Sequence, residues 1–455
     1  MTGVTLSTYD EVLKTFYLPA IQEQLNHATI LSDLIDVNEE DVSGKNATIE
    51  CHYGRSTGTG ARADAATLPT ANYQKFLTAT VPMKYIYGRI QLSGPTIAAT
   101  RDDKGAYAKA LDSEIKGIVT DLKQEVNRMM WGCGWGLVAR LSSSSSSVTI
   151  TCPKKYTGNA TWGDGFGSTF GAKYLTERPD CVLIEVSGLS GTSATYTVGA
   201  TDGNVSAITK GTDYDTITVT DPGAPSEGDF FVRPASLALW TASGNAHRLE
   251  MMGLRGIVTD ENMEEIMLYD KTNTPQLPGD GLYVDSLQGL SSESYAWWQA
   301  NVDIHASGRY KGQRALTLNL MDKMFDTTEE KAGKDYGPDL VLTTRALRRE
   351  YADLCRADRR YVNTMVLDGG WKAIDYNGIP LTVDNDAIDG EIYFLTTKDL
   401  QMYRMSDYDW MQKDGAILSR VSNYDAYEAI LFRYAELGCK RRNSHGVICD
   451  LSYTA

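Results

Sequence analysis

The apolar residues between Tyr107 and Trp131 keep helical spacing longer than anywhere else in the chain. Tyr107, Leu111, Ile115, Ile118, Leu122, Val126 and Met129 follow one another at steps of three and four, which puts them on one face of an α-helix. Asp112, Lys116, Lys123 and Arg128 fall off that stripe. The pattern therefore predicts a helix about 37 Å long with one packed face and one charged face turned to solvent or a neighbour. Thr100 and Asp103 offer a loose capping box at its start, and Gly132, Gly134 and Gly136 end it. Upstream the period changes to two. Ile49, Cys51 and Tyr53 alternate with Thr48, Glu50 and His52, and Val81, Met83, Tyr85 and Tyr87 alternate on the return. Between them Gly54 to Pro69 is too long for a tight turn, so residues 46–92 are expected to form an extended two-stranded loop. A short helical signal from Tyr9 to Leu25, broken at Pro19, and the acidic run Asp33 to Asp41 make residues 1–45 an N-terminal arm.

Beyond the long helix the texture shifts. The six serines Ser142 to Ser147 read as a flexible linker. Short alternating runs follow at Val148 to Cys152, Cys181 to Val186, Thr195 to Val198, Thr216 to Val219 and Phe230 to Val232, separated by Gly, Asp and Pro turns. They predict an all-β domain over 142–250 that projects from the body and whose removal the body should survive. Helical period returns at Ala315 to Met324 and at Arg345 to Arg360, while Gly378 to Val383 and Ile392 to Leu395 read as strands. The chain closes on an apolar, strand-rich stretch with a turn near Asn443. The fold class expected is α+β.

Composition narrows the function classes. Among 455 residues, 42% are hydrophobic and 23% charged, which suits a folded chain of two or three domains. A net charge of −15 argues against a general binder of nucleic acid or anionic membrane. No run approaches the roughly 20 apolar residues of a membrane span, and Met1-Thr-Gly-Val lacks the basic start of a signal peptide. The seven cysteines are scattered without a C-x-x-C pair and read as reduced, mostly buried thiols.

Candidate chemistry is sparse. Gly54, Gly58 and Gly60 lack the Lys-Ser/Thr of a phosphate loop, and Gly163 to Gly167 lacks the context of a dinucleotide fingerprint. Asp384 to Glu391 holds carboxylates enough for Ca²⁺ but misses its spacing, and reads as a solvated turn. The five histidines never reach metal-ligand or triad spacing. No catalytic, cofactor or metal residue is therefore expected. The cations that stand out are Arg55, Arg62, Lys75 and Lys84 along the extended loop and Arg345, Arg348, Arg349 and Arg356 on one helix, where Glu350, Asp353 and Asp358 interleave. They are the candidates for contacts between subunits.

The order of parts carries more than any motif. An arm, an extended loop, a long helix ending in Met130-Trp-Gly-Cys-Gly134, then Gly253-Leu-Arg-Gly-Ile257, Leu340-Val-Leu-Thr-Thr-Arg-Ala-Leu347, Asn377-Gly-Ile-Pro-Leu-Thr-Val383 and the closing Tyr427 to Cys449 resemble the major capsid proteins of tailed double-stranded DNA phages, of the Hong Kong 97 type. The resemblance covers residues 1–141 and 251–455. It implies a peripheral domain with the long spine helix (93–141, rejoined at 406–455), an axial domain (251–405), the extended loop and the N-terminal arm, with 142–250 inserted between them. It also implies self-assembly, as pentamers and hexamers, into an icosahedral or prolate shell in the host cytoplasm, around DNA that is not read by sequence. A separate scaffolding protein, a portal and, as an optional addition, decoration proteins would be partners. An encapsulin-like compartment and a β-rich adhesin are the alternative readings.

Overall fold

The computed structural model describes residues 30–94, 104–134, 136–141, 143–144, 149–155, 171–175, 182–190, 193–198, 204–220, 230–232, 249–260, 286–292, 294–306, 312–357, 364–366, 372–412, 418–421 and 423–453. The N-terminal helical signal, the Thr100–Asp103 capping box, Gly163 to Gly167 and Arg359 and Arg360 lie outside them. Two mixed assemblies of helix and sheet organise what is described, and a hairpin extends from one.

The first is built on Ala426–Cys439, a strand whose residues are mostly buried. Lys84–Ser93 pairs antiparallel along one edge of it, and Leu400–Trp410 and the short Ser419–Arg420 pair along the other; Asp36–Asn38 adds parallel to Leu400–Trp410. Ile86, Gly88 and Ile90 alternate inward along Lys84–Ser93, and the long helix Lys104–Trp131 lies against them. The approach is close. A Cβ on Gly88 would sit 3.0 Å from Ile118 Cγ1, so glycine there sets how near the helix comes to the sheet.

The hairpin corrects one reading of the period. Its strands are Asn46–Gly54 and Lys75–Pro82, so the return begins before Val81. After Met83 the inward positions change parity: Val81 and Met83 are buried, whereas Tyr85 and Tyr87 are exposed and Ile86 and Ile90 take the interior. Lys84–Ser93 has left the hairpin for the five-stranded sheet built on Ala426–Cys439, which is why one alternation does not run from Val81 to Tyr87.

The second assembly is a seven-stranded mixed sheet in the order Asn301–Asp303, Gly446–Ile448, Ile392–Leu395, Leu340–Thr343, Ile379–Val383, Lys372–Tyr376 and Thr364–Val366. Leu318–Ala332 packs on it through Met321 and Met324, with Thr317 capping the Leu320 N–H and Gly333 at φ 95° ending it. Arg345–Ala357 packs Leu347, Tyr351 and Cys355 over Ile379–Val383. Gly446–Ile448, the next strand after Ala426–Cys439, belongs here, so the closing stretch of the chain serves both sheets. Between them Arg442, almost fully buried, donates to the carbonyls of Ile257 (2.7 Å) and Trp298 (3.1 Å).

Residues 137–232 supply two four-stranded sheets. Leu137–Arg140, Phe230–Val232, Val182–Ser190 and Ser193–Val198 form one; Ser143–Ser144, Thr149–Pro153, Tyr214–Thr220 and Asn204–Thr209 form the other. Three findings depart from the sequence reading. Sheet pairing begins at Leu137, ahead of Ser142. Ser143 and Ser144, read as linker, pair with Thr151 and Ile150. And Ile150, Cys152, Tyr174, Ile217 and Phe231 are buried in the same apolar cluster as the long helix, so this segment is packed into the body.

One buried group gives a pH dependence. His445 is fully buried, its Nδ1 accepts the Thr396 N–H, and burial with the nearby Arg442 charge pulls its pKa down to about 3. Unfolded, the same imidazole takes a proton near 6.5, so between those values the unfolded chain binds more protons and stability falls as pH falls. His445→Gln is expected to flatten the pH 3–6.5 stability profile by up to about 1.4 kcal/mol per pH unit, measured by denaturant titration; an unchanged slope counts against the assignment.

Candidate functional site

Where the long helix ends, it leaves the one-sided pattern that its sequence suggests. Lys123 is 7% exposed and Arg128 1%. Neither points to solvent, because here the helix is enclosed by the sheet, by residues 249–258, by the loop at 382–386 and by residues 171–175. Gly253 marks the closest approach: a Cβ there would lie 2.3 Å from the Met129 carbonyl oxygen. Arg128 reaches Glu125 (2.7 Å) and Glu250 (2.6 Å). Burial alone would lower its pKa; the two carboxylates reverse that and hold it well above the usual value.

One turn away, Asn127 Nδ2 donates to Asp384 Oδ1 (3.1 Å) and to Asp386. Asp386 also accepts from Lys173 Nζ and from the Tyr174 hydroxyl (2.6 Å). Lys173 and Tyr174 are held there from the far side: Asp215, buried, accepts the N–H groups of Ala172 (2.9 Å) and Gly211 (3.1 Å) and faces Lys154 and Lys210. Burial would raise the Asp215 pKa, but these donors and cations bring it below the ordinary value. For Asp384 burial dominates, and with the Asp386 charge beside it the carboxyl is pushed up. The Asp384 to Glu391 turn is thus not solvated. Asp384, Asp386 and Glu391 are all buried, because the long helix and residues 173–174 close over it.

Above this junction opens a cleft of about 590 Å³, lined by Lys123, Asn127, Lys173, Arg345, Arg348 and Asp384 among others. Two of the sequence candidates, Arg345 and Arg348, stand at it. Arg349 is exposed further along the same helix, and Arg356 pairs with Asp353 at 2.6 Å on the exposed side. Arg55, Arg62 and Lys75 are exposed on the hairpin, where Arg62 donates to the nearby carbonyls of Ala61 and Thr67; Lys84 begins the strand that enters the five-stranded sheet. The structure therefore places these cations on two separate surfaces. Asn127, Lys173 and Tyr174 were invisible as site residues in the sequence. Asn127 sits in an apolar-periodic helix, and the other two are over 200 residues from their Asp386 partner.

Residues 55–74 are exposed almost throughout, and the hairpin leaves Leu68, Tyr73 and Phe76 bare at 80%, 73% and 61% exposure. On the five-stranded sheet built on Ala426–Cys439, Tyr85, Tyr87 and Phe432 gather round Tyr434, at ring separations of 5.1, 6.0 and 4.9 Å. Exposed apolar groups of this kind are common where proteins meet a partner. Among the described residues no group of acidic, His or Cys side chains could hold a metal ion, and no helix is long and apolar enough to cross a membrane.

No protein-family model matches the sequence, and no curated protein matches it. Solved structures do. The chain in the capsid asymmetric unit of cyanophage A-1(L) superposes over 93% of this chain and 93% of its own, with a TM-score of 0.51 and 13% identity. A chain of Mycobacterium phage Bobi covers 94% of this one and 91% of its own at 7% identity and a TM-score of 0.41, and an encapsulin from Synechococcus elongatus covers only 34% and 55% at 14% identity and 0.26. The fold is α+β, that of the phage capsid proteins of the Hong Kong 97 type.

Proposed function

We propose that this chain is a structural major capsid protein, which assembles with itself into the closed shell of a phage head and catalyses no reaction. The observation that carries the reading is the likeness to a cyanophage capsid chain along nearly the whole of both. What supports it independently is surface that one subunit leaves uncovered, above all the hairpin with its bare Leu68, Tyr73 and Phe76. Interfaces of ordinary size remove about 1,600 Å² from water, and a protruding hairpin supplies such area only when a second copy covers it. Repeated heterologous contacts close into rings, and rings of five and six make a shell. Residues 142–250 are read as the inserted part of this fold, with strand pairing that begins a few residues earlier at Leu137. The acidic balance fits a shell that holds DNA without gripping it. Assembly in the host cytoplasm, a separate scaffold, a portal and decoration proteins belong to the same proposal.

Expressed with its scaffold, the protein is expected to sediment as capsomers or particles far heavier than its 50.1 kDa chain, and negative-stain microscopy should display shells. A stable monomer in the analytical ultracentrifuge under every assembly condition refutes the reading.

A further inference from the structure

The cleft beside the long helix lies where two parallel strands end. Leu340–Thr343 and Ile379–Val383 run side by side, with Thr343 opposite Val383, and both stop at it. The first leads into the helix Arg345–Ala357 and the second into the loop 384–386. A crevice outside the carboxyl ends of parallel strands is where such sheets receive ligands. Four cations and two carboxylates line this one: Lys123, Lys173, Arg345 and Arg348 against Asp384 and Asp386. The carboxylates are turned inward. Asp384 Oδ1 accepts from Asn127 Nδ2 (3.1 Å) and the Asp386 N–H (2.9 Å), and its Oδ2 is enclosed; Asp386 accepts from Asn127, Lys173 and Tyr174. The guanidinium groups of Arg345 and Arg348, by contrast, make no hydrogen bond or ion pair among the described residues. They sit three residues apart on the first turn of their helix, which makes them neighbours. The charge left to meet a ligand is therefore positive, in a chain whose balance is −15.

Two guanidinium forks side by side match the oxygens of a phosphate, which they grip through paired, charge-assisted hydrogen bonds. The start of their helix adds only the positive end of its dipole. At about 590 Å³ the cavity falls within the range of small-ligand sites, roughly 300–1,000 Å³. It is walled by the long helix and by residues 173–174, so a small anion can enter where the broad rod of a DNA duplex meets only the rim. We propose that this cleft binds a small phosphate-bearing anion, held through its phosphate oxygens by Arg345 and Arg348. Lys123, on the long helix, adds charge to the wall, and Gln124, exposed beside it, offers an amide to the rest of the ligand. Every residue used belongs to one subunit, so the site holds whether or not the chain builds a shell.

Binding is read on the unassembled subunit of the full chain, by titration calorimetry and by the shift in thermal unfolding. The probes are inorganic phosphate and tripolyphosphate, with sodium chloride at matched ionic strength as the control. Both phosphates should bind and raise the unfolding midpoint, and chloride should do neither. Arg345→Gln with Arg348→Gln should weaken binding by about tenfold or more with an unchanged circular dichroism spectrum. Arg345→Lys with Arg348→Lys, which keeps the charge and loses the forks, should weaken it too, by less; this pair carries the test if the glutamines disturb the fold. Arg356→Gln, which removes a like charge from the exposed far end of the same helix, should leave binding unaltered. The proposal falls if neither phosphate binds, if chloride acts as well as they do, or if Arg356→Gln costs as much as the rim pair. It falls too if a short DNA duplex binds through these arginines and the free anions do not, since the cleft would then be a contact for packaged DNA. Gln variants that bind the anions as before but assemble poorly would give the arginines to a subunit contact and overturn it as well.

Discussion

Arg128→Leu is expected to destabilise the unassembled subunit by about 3–5 kcal/mol, the usual cost of breaking a buried ion pair by removing one partner. The guanidinium is almost fully enclosed and joins Glu125, on its own helix, to Glu250, from a segment 122 residues further along. Leucine fills the space and leaves two carboxylates without their cation, one of them deeply buried. Denaturant titration reads the effect. A loss below about 1 kcal/mol, the range of exposed pairs, would mean that the pair does not hold residues 249–258 to the helix.

A larger change should do more. Replacing Ser142 to Arg248 by a short Gly/Ser linker is expected to yield insoluble protein or a subunit with lost helix and sheet signal. Leu137–Arg140 would lose Phe230–Val232 as its strand partner, Asp386 would lose Lys173 and Tyr174, and the long helix would be stripped of the apolar cover that Ile150, Ile217 and Phe231 share with it. The sequence alone leads to the opposite expectation, of a detachable domain. Soluble, assembling protein from this variant would restore that view.

The contrast marks what local pattern can carry. The long helix and the first hairpin strand were legible because each shows its burial in a period of its own, and Ile379–Val383, Ile392–Leu395 and Phe230–Val232 because each contains a short apolar run rich in β-branched or aromatic residues. Serine pairs at Ser143–Ser144 were not, since serine looks the same in a linker and on a strand whose partner lies some residues away. Nor was the parity change at Met83, where two strands of different sheets adjoin and their alternations run together. Arg128 and Lys123 misled for another reason: charge off an apolar stripe suggests water, unless a distant carboxylate such as Glu250 waits on the far side. Of the candidate cations, Arg345 and Arg348 could be named from their clustering. The floor they stand above could not, for its parts come from helix, loop and a segment that sequence order keeps apart.

The strand Ala426–Cys439 has a mechanical consequence. Lys84–Ser93 is the direct continuation of the hairpin, and it is paired to Ala426–Cys439 over ten consecutive register positions, from Lys84 opposite Ala435 to Ser93 opposite Ala426. Tension directed along Lys84–Ser93 loads that antiparallel ladder in shear, so its hydrogen bonds share the force. Past Cys439 the load reaches Arg442, clamped on the carbonyls of Ile257 and Trp298, and then Gly446–Ile448 inside the seven-stranded sheet. Tension that enters along Lys84–Ser93 would therefore spread across both sheets, as through a tie-rod anchored at both ends.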